Sequence, residues 1–396
     1  MIIESLLDTD FYTFSVQKFA YHQFRDTQVE YDFTCRNKGI VWNEAMLNDI
    51  HNQVDYLCTL DFTNRELMFL RKQPAITQDF IEFLQGFRLN RHNITIIISD
   101  DQLRIKIIGS WVDTVMFEVP ILAIVNEVYF YHTEMYMKSQ ENYTNLQVEA
   151  REVLNEKYEY ALETGFPFSD FGTRRRFSRS WQEEVVTKLS TLPNFKGTSN
   201  VKLAMELDLE PIGTMSHQVI CAGVGMKDTS VQNSQKYMFK KWAEEFSDSN
   251  LIALSDTYTF DKFLEDFSYS DLKLYDGLRQ DSGDVFEWGE KAIKNYEKHN
   301  IDPKTKTLIW SDGLTVSKAR EIWERFKGKI NCTFGIGTSL SNDIPDVTPL
   351  QIVIKMTRCN GHPTLKVSDS PGKSVCVYPI AEDYIRAVFN LAERIK

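Results

Sequence analysis

LIALSDTYTFDKFLEDFSYSDLKLYDGLRQDSGDVFEWGEKAIKNYEKHNIDPKTKTLIWSDGLTVSKAREIWERFKGKINCTFGIGT, residues 251–338, is the stretch whose reading decides the fold class. Short apolar runs at 251–254, 272–275, 306–310 and 332–334 read as strands. Helical patterns separate them: one after 254, one over 284–299 and one over 316–326. Strands alternating with helices build a parallel sheet, either a barrel or a doubly wound fold. The same alternation reaches back to about residue 165. There 166–170 reads as a strand before a helix opening near Ser178, with Ser180 and Glu183 fitting a capping box.

Outward from this region the pattern changes. A helix capped by Asp8 or Asp10 runs to about residue 22. Val29, Tyr31, Phe33 and Cys35 then alternate with polar residues, the period-two mark of a half-buried strand. Residues 93–99 and 103–108 are β-rich, and Ser99-Asp100-Asp101-Gln102 joins them as a hairpin loop. Residues 118–157 read as helical. The tail returns to strands at 350–356 and 364–367, which rejoin the N-terminal ones. There is no internal repeat and no low-complexity tract.

The 396 residues suggest roughly two domains, or one large barrel with an extra domain. A formal charge of −11 repels nucleic acid and anionic lipid over most of the surface. An anionic substrate must then be met by local positive charge, which makes clustered arginines informative. The six cysteines Cys35, Cys58, Cys221, Cys332, Cys359 and Cys376 include no CxxC pair, and the seven histidines are scattered. They read as free thiols in a reducing compartment, without a zinc site. The N-terminus shows no secretory signal. The clean apolar run 119–125 is about a third of a membrane span. The expected location is the cytosol.

In β/α folds of this kind the reacting groups sit in the loops after the strands. Those loops here are Asp170-Phe171-Gly172-Thr173-Arg174-Arg175-Arg176, Gly213-Thr214-Met215-Ser216-His217, Ser255-Asp256, Arg279-Gln280-Asp281-Ser282-Gly283-Asp284, Ser311-Asp312-Gly313 and Phe334-Gly335-Ile336-Gly337-Thr338. Each combines small residues with a strong polar group. Glycines let backbone N–H groups approach a phosphate, and helix N-termini favour negative charge. Carboxylates in the same ring suit Mg²⁺ and ribose hydroxyls. Any one such turn, or a lone histidine such as His217, is more often structural than functional. Their recurrence after strand upon strand points to phosphate chemistry. Two familiar phosphate motifs are excluded. Gly335-Ile336-Gly337 lacks the third glycine of GxGxxG, and Gly372-Lys373-Ser374 has Val367 where a P-loop needs its first glycine. The latter reads as a turn, with Lys373 as a candidate anion contact.

The stretches LLDTDFYTF, DFGTRRRFS, KGTSN, LRQDSGD, WGEKAI, SDGL, FGIGT and KVSDSPGKSVC, in this order, resemble the nicotinate phosphoribosyltransferases over nearly the whole chain. The resemblance implies an α/β fold: an irregular β/α barrel over 136–349, joined to a smaller strand-rich α+β domain built from 1–135 and 350–396. It implies transfer of phosphoribose from phosphoribosyl pyrophosphate to nicotinate, the first step of NAD salvage from nicotinate. It also implies coupling to ATP through a phosphohistidine, with Mg²⁺ held mainly by substrate phosphates, and a homodimer with shared active sites. Carried onto this chain, His217 is the phosphorylated histidine and Asp256 orients it. Phe171 stacks on the pyridine ring, and Tyr12 of a second copy covers the other face. Arg174 pairs with the nicotinate carboxylate. Arg279 and Asp281 contact ribose and phosphates, with Asp281 counted among the catalytic groups. Asp312 holds ribose hydroxyls, and Gly335, Gly337 and Thr338 cradle the 5′-phosphate. Thr173 and Thr198 complete the binding set. Ser199 stands where the nicotinamide enzymes carry an aspartate, and so favours the acid over the amide.

Thr13 and Gln218 depart from the family's commoner lysine and glutamate at their positions. The first weakens any phosphate-binding role there, and the second leaves the acidic neighbours of His217 open. The alternatives are a phosphoribosyltransferase for nicotinamide or quinolinate, or an inactive barrel kept as a binding or regulatory module.

Overall fold

Val29, Tyr31 and Phe33 are buried between more exposed neighbours, so β1 (Gln28–Cys35) forms with one face against a core. The protein is described here from a computed structural model covering residues 1–133, 140–247, 249, 251–370 and 378–391, without the side chains of 140–147. The Gly372-Lys373-Ser374 turn and Cys376 lie outside the described residues. β1 pairs antiparallel with β3 (Gln102–Ser110), which pairs with β2 (Ile94–Ser99). Asp100 and Asp101 between them have φ of 53° and 57°, the two positive values that a tight two-residue hairpin turn requires.

The second sheet is parallel. Its strands are β4 (Phe168–Asp170), β5 (Phe195–Thr198), β6 (Ile252–Leu254), β7 (Gly277–Gln280), β8 (Thr307–Trp310) and β9 (Asn331–Ile336). They lie in the order β5-β4-β9-β8-β7-β6, and among the described residues the ladder does not close between β5 and β6. Helices such as Arg179–Leu189, Val285–Lys298 and Val316–Phe326 connect them. β10 (Ile352–Cys359) returns to the first sheet, pairing with β1 and with the short β11 (His362–Pro363). The antiparallel sheet thus contains strands from both ends of the chain.

Four expected elements differ. Residues 272–275 are not a strand, because Ser268 and Asp271 form a reciprocal capping box that starts the helix Tyr269–Leu274. The strand falls at β7, where a Cβ on Gly277 would lie 2.0 Å from the Thr307 carbonyl oxygen, so only glycine fits. The helix Arg179–Leu189 is capped by Ser178, which accepts from the Trp181 amide, and not by Ser180 with Glu183. Asp10 stands at the cap of Phe11–Gln23 but makes no capping bond. Its carboxylate accepts from the Ser199 hydroxyl, while Asp8 pairs with Arg176. Finally, 364–367 form no strand. The segment leaves the antiparallel sheet through Thr364 N–H to Thr357 O and reaches the parallel one through Val367 N–H to Thr257 O.

The core helix Glu118–His132 explains the apolar run at 119–125. The wider segment Trp111–His132 is long and apolar enough to cross a membrane, but 78% of its most apolar window is buried inside the fold. Its apolarity is that of a helix enclosed on all sides.

Candidate active site

The C-terminal ends of the parallel strands face β10 across a cavity of about 670 Å³, a size typical of small-molecule sites. His217 opens the helix His217–Ala222 and lines this cavity. Its Nε2 lies 2.9 Å from Asp256 Oδ1 and 3.6 Å from Asp281 Oδ2. Asp256 follows β6 and is fully buried. Its Oδ2 also takes the Ser282 hydroxyl at 2.5 Å and the Lys366 ammonium at 2.6 Å. Lys366 reaches Asp281 Oδ2 at 3.4 Å as well. One cation and one imidazole are therefore held between two carboxylates. Burial and then Lys366 lower the pKa of His217, with Asp256 and Asp281 opposing them, so the ring is neutral at pH 7. For Asp256, burial works against the charge, but Lys366 and His217 hold the carboxyl well below the usual range.

Arg279, near the end of β7, donates from Nε to Ser311 Oγ at 2.8 Å and from Nη1 to Thr214 Oγ1 at 3.1 Å. Its guanidinium lies 5.5 Å above the Phe171 ring. Phe171 is pressed onto β9, and a Cβ on Gly335 would come within 2.3 Å of its ring. Gly335 therefore makes room for the aromatic ring and does not line the cavity. Gly337, Thr338, Asp312 and Asp281 do line it. Arg174 also lines the cavity, with Nε 3.7 Å from Asp10 Oδ2 and Nη1 3.8 Å from Glu118 Oε1.

Three expected binding residues are not brought to the cavity, because each hydroxyl is engaged elsewhere. Thr173 accepts from Gln182, Thr198 donates to Asp170 at 2.7 Å, and Ser199 donates to Asp10 at 2.7 Å. Ser199 thus has no proton left to offer a substrate in this arrangement. Tyr12, expected from a second copy, already lines the cavity of its own chain, with its buried hydroxyl beside Glu118. Within the arginine run, Arg176 does not face the cavity at all. It is 1% exposed and forks onto Asp8 at 2.7 and 2.8 Å.

Sequence reasoning missed Lys366, Lys355 and Glu118. Lys366 lies in the KVSDSPGKSVC stretch but carries no motif of its own. Lys355 sits on β10, where alternation alone reads as strand. Lys355, Arg36, Arg175 and Lys366 all line the cavity. Burial, then neighbouring Arg36 and Lys366, lowers the Lys355 pKa to about 8. Burial, then Arg174 and Arg36, lowers that of Arg175 to about 10. Mutual repulsion of this kind is what a bound polyanion relieves.

The chain was compared with known proteins. Residues 166–393 match the profile of the nicotinate phosphoribosyltransferase (NAPRTase) family, and residues 7–126 match that of its N-terminal domain. A nicotinate phosphoribosyltransferase of Burkholderia orbicola (strain MC0-3) is 44% identical over 403 residues, covering 100% of this chain and 99% of its own length. One from Acidovorax sp. (strain JS42) is 43% identical over 404 residues, with 99% of both chains covered. Among solved structures, the Vibrio cholerae nicotinate phosphoribosyltransferase superposes with a TM-score of 0.91 at 34% identity, covering 99% of this chain and 94% of its own.

Proposed function

Because the chain belongs to the nicotinate phosphoribosyltransferase family, whose enzymes join nicotinate to phosphoribosyl pyrophosphate with loss of pyrophosphate, we propose that it couples this transfer to ATP through His217. The carrying observation is the neutral His217 ring, held through Nε2 by a buried Asp256 and opening onto a cavity with a cationic end. With Nε2 hydrogen-bonded to Asp256, Nδ1 is the nitrogen left to attack the γ-phosphorus of ATP. The P–N bond forms as the P–O bond to ADP breaks. Asp256 stabilises the cationic ring that results. Hydrolysis of the phosphohistidine returns the neutral ring and releases phosphate.

In the transfer itself the pyridine nitrogen of nicotinate bonds to C1 of the ribose, and pyrophosphate departs with the bonding pair. Phe171 supports the aromatic ring and Arg174 receives the carboxylate. Arg36, Arg175, Lys355 and Lys366 are the cations suited to the phosphate groups. Asp281 and Asp312 are the carboxylates suited to ribose hydroxyls. Alignment of two bound reactants is the main catalytic contribution asked of these loops.

The oxygens of Asp256 are already engaged by His217, Ser282 and Lys366. A Mg²⁺ ion would be held mainly by substrate phosphates, with Asp281 the carboxylate of the His217, Asp256 and Asp281 group most open to it. Such an ion would supply charge neutralisation for the phosphate groups. The same reading includes a cytosolic homodimer. The five cysteines within the described residues are all free, as in a reducing compartment.

The test is labelling with γ-phosphate-labelled ATP. An acid-labile phosphate on the wild type, absent from His217→Ala, is expected. The same variant is expected to retain slow nicotinate transfer without ATP, since the loops that align the substrates remain. Labelling that persists in His217→Ala would refute the assignment.

A further inference from the structure

The end of the cavity assigned to the nicotinate carboxylate already holds two carboxyl groups. Arg174 lies 3.7 Å from Asp10 and 3.8 Å from Glu118. Asp10 is tied by the Ser199 hydroxyl at 2.7 Å. Glu118 opens the core helix with 12% of its side chain exposed, and it lines the cavity. Its Oε2 accepts from Gln218 Nε2 at 3.2 Å. The orientation of that amide is determined, because Gln218 Oε1 takes both the Tyr31 hydroxyl at 2.7 Å and the Trp111 indole N–H at 2.9 Å. Gln218 is also the residue after His217, so this network joins the two ends of the cavity. A substrate anion entering here meets one guanidinium already shared between two acids.

We propose that Glu118 takes up one proton when nicotinate binds, so that Arg174 exchanges a protein carboxylate for the carboxylate of the substrate. The proposal rests on the reading that Arg174 receives nicotinate. Protonation removes the charge that repels the substrate and frees the Nη1 edge of Arg174. Gln218 serves both states of Glu118, since its amide donates to a carboxylate or to the carbonyl oxygen of an acid. The Tyr12 hydroxyl stands beside the same group and favours its charged form. Burial supports the exchange, pushing the Glu118 carboxyl up to about 7 against the pull of Arg174. The other charged or titratable groups facing Glu118 are Asp10, Tyr12, Tyr31 and Lys355. Lys355 loses its charge at about 8, so a pH profile of the wild type alone does not isolate Glu118.

The deciding experiment compares the KM for nicotinate from pH 6 to pH 8 in wild type, Glu118→Gln and Arg174→Gln, at saturating phosphoribosyl pyrophosphate and ATP. In the wild type KM is expected to rise about tenfold over this range, as a group near neutrality ionises. In Glu118→Gln that rise is expected to fall below about twofold. A Glu118→Gln enzyme that keeps the wild-type slope overturns the proposal while leaving the Arg174 reading standing. An Arg174→Gln enzyme with wild-type KM at pH 6 overturns that reading, and the proposal with it. Calorimetry of nicotinate binding to the wild type, in buffers of different ionisation heat, tests the same point without a variant. Uptake of about one proton at pH 8 supports the exchange, and none overturns it.

Discussion

Replacing Lys366 by methionine keeps an unbranched apolar stem and removes a single charge from the centre of the site. The ammonium lies 2.6 Å from Asp256 and 3.4 Å from Asp281, and the residue is 8% exposed. At an effective dielectric of about 20 these two attractions are on the order of 6 and 5 kcal/mol. Desolvation offsets most of that, and removing one partner of such a buried set costs about 3–5 kcal/mol. The variant is therefore expected to be folded but less stable. Its chemical consequence follows from the sign of the charge. Lys366 is the largest influence after burial holding the pKa of His217 down. Without it, burial alone opposes Asp256 and Asp281, and the pKa of His217 rises. A protonated imidazole has no lone pair for the γ-phosphorus. Phosphorylation of His217 at pH 7 is expected to fall roughly a hundredfold, the scale of losing one positioned electrostatic group, and to recover as pH is raised. Rapid-quench measurement of acid-labile phosphate from pH 6 to 9 reads this directly, with thermal unfolding to certify the fold. An acid limb unmoved in folded Lys366→Met, or moved to lower pH, refutes the reasoning.

Two further outcomes follow from the engaged side chains. Arg176→Met should lose about 3–5 kcal/mol of stability at pH 7, because it strands a buried Asp8; denaturant unfolding measures it. Burial alone would raise the Asp8 carboxyl, but Arg176 overcomes this and holds it below the usual value of 3.8. The stabilisation is therefore present at neutral pH and lost as pH falls through the depressed value, so the wild-type advantage should shrink in strong acid. Ser199→Ala should keep its preference for nicotinate over nicotinamide within about threefold, since a hydroxyl outside the cavity cannot supply the roughly tenfold or greater discrimination of a direct polar contact. A collapse of that preference in competition assays would return Ser199 to the specificity role expected from its position in GTSN.

The alternation over 251–338 was enough to read a parallel sheet, because strands buried on both faces and their covering helices differ in period. The same reading placed Asp256, Asp281 and Asp312 in the loops after β6, β7 and β8, where the structure has them, but Arg279 stands within β7 and His217 opens a helix that no strand directly precedes. It failed where a local signal competed. Residues 272–275 look like a strand by apolarity, yet the Ser268–Asp271 capping box makes them helix, and the true strand begins at a glycine that the neighbouring backbone demands. Side-chain commitment was less legible still. Nothing in the order of residues distinguishes Arg174, which faces the cavity, from Arg176, which forks onto Asp8, 168 residues away in the chain but adjacent in space.

The tail shows why some of the site could not be read from motifs. Lys366 reaches Asp256 only because residues 364–367 decline to form the strand their composition suggests. The segment is hydrogen-bonded at one end to Thr357 on the antiparallel sheet and at the other to Thr257 beside β6. A continuous strand would have kept Lys366 on the antiparallel sheet. Crossing between the sheets instead delivers its ammonium to two acids from separate loops. A charge that, after burial, holds the His217 pKa down is thus supplied across the two sheets, and the state of that ring depends on their being docked. A variant that loosens this crossing, with every loop of the parallel sheet intact, should shift the acid limb of His217 phosphorylation in the same direction as Lys366→Met.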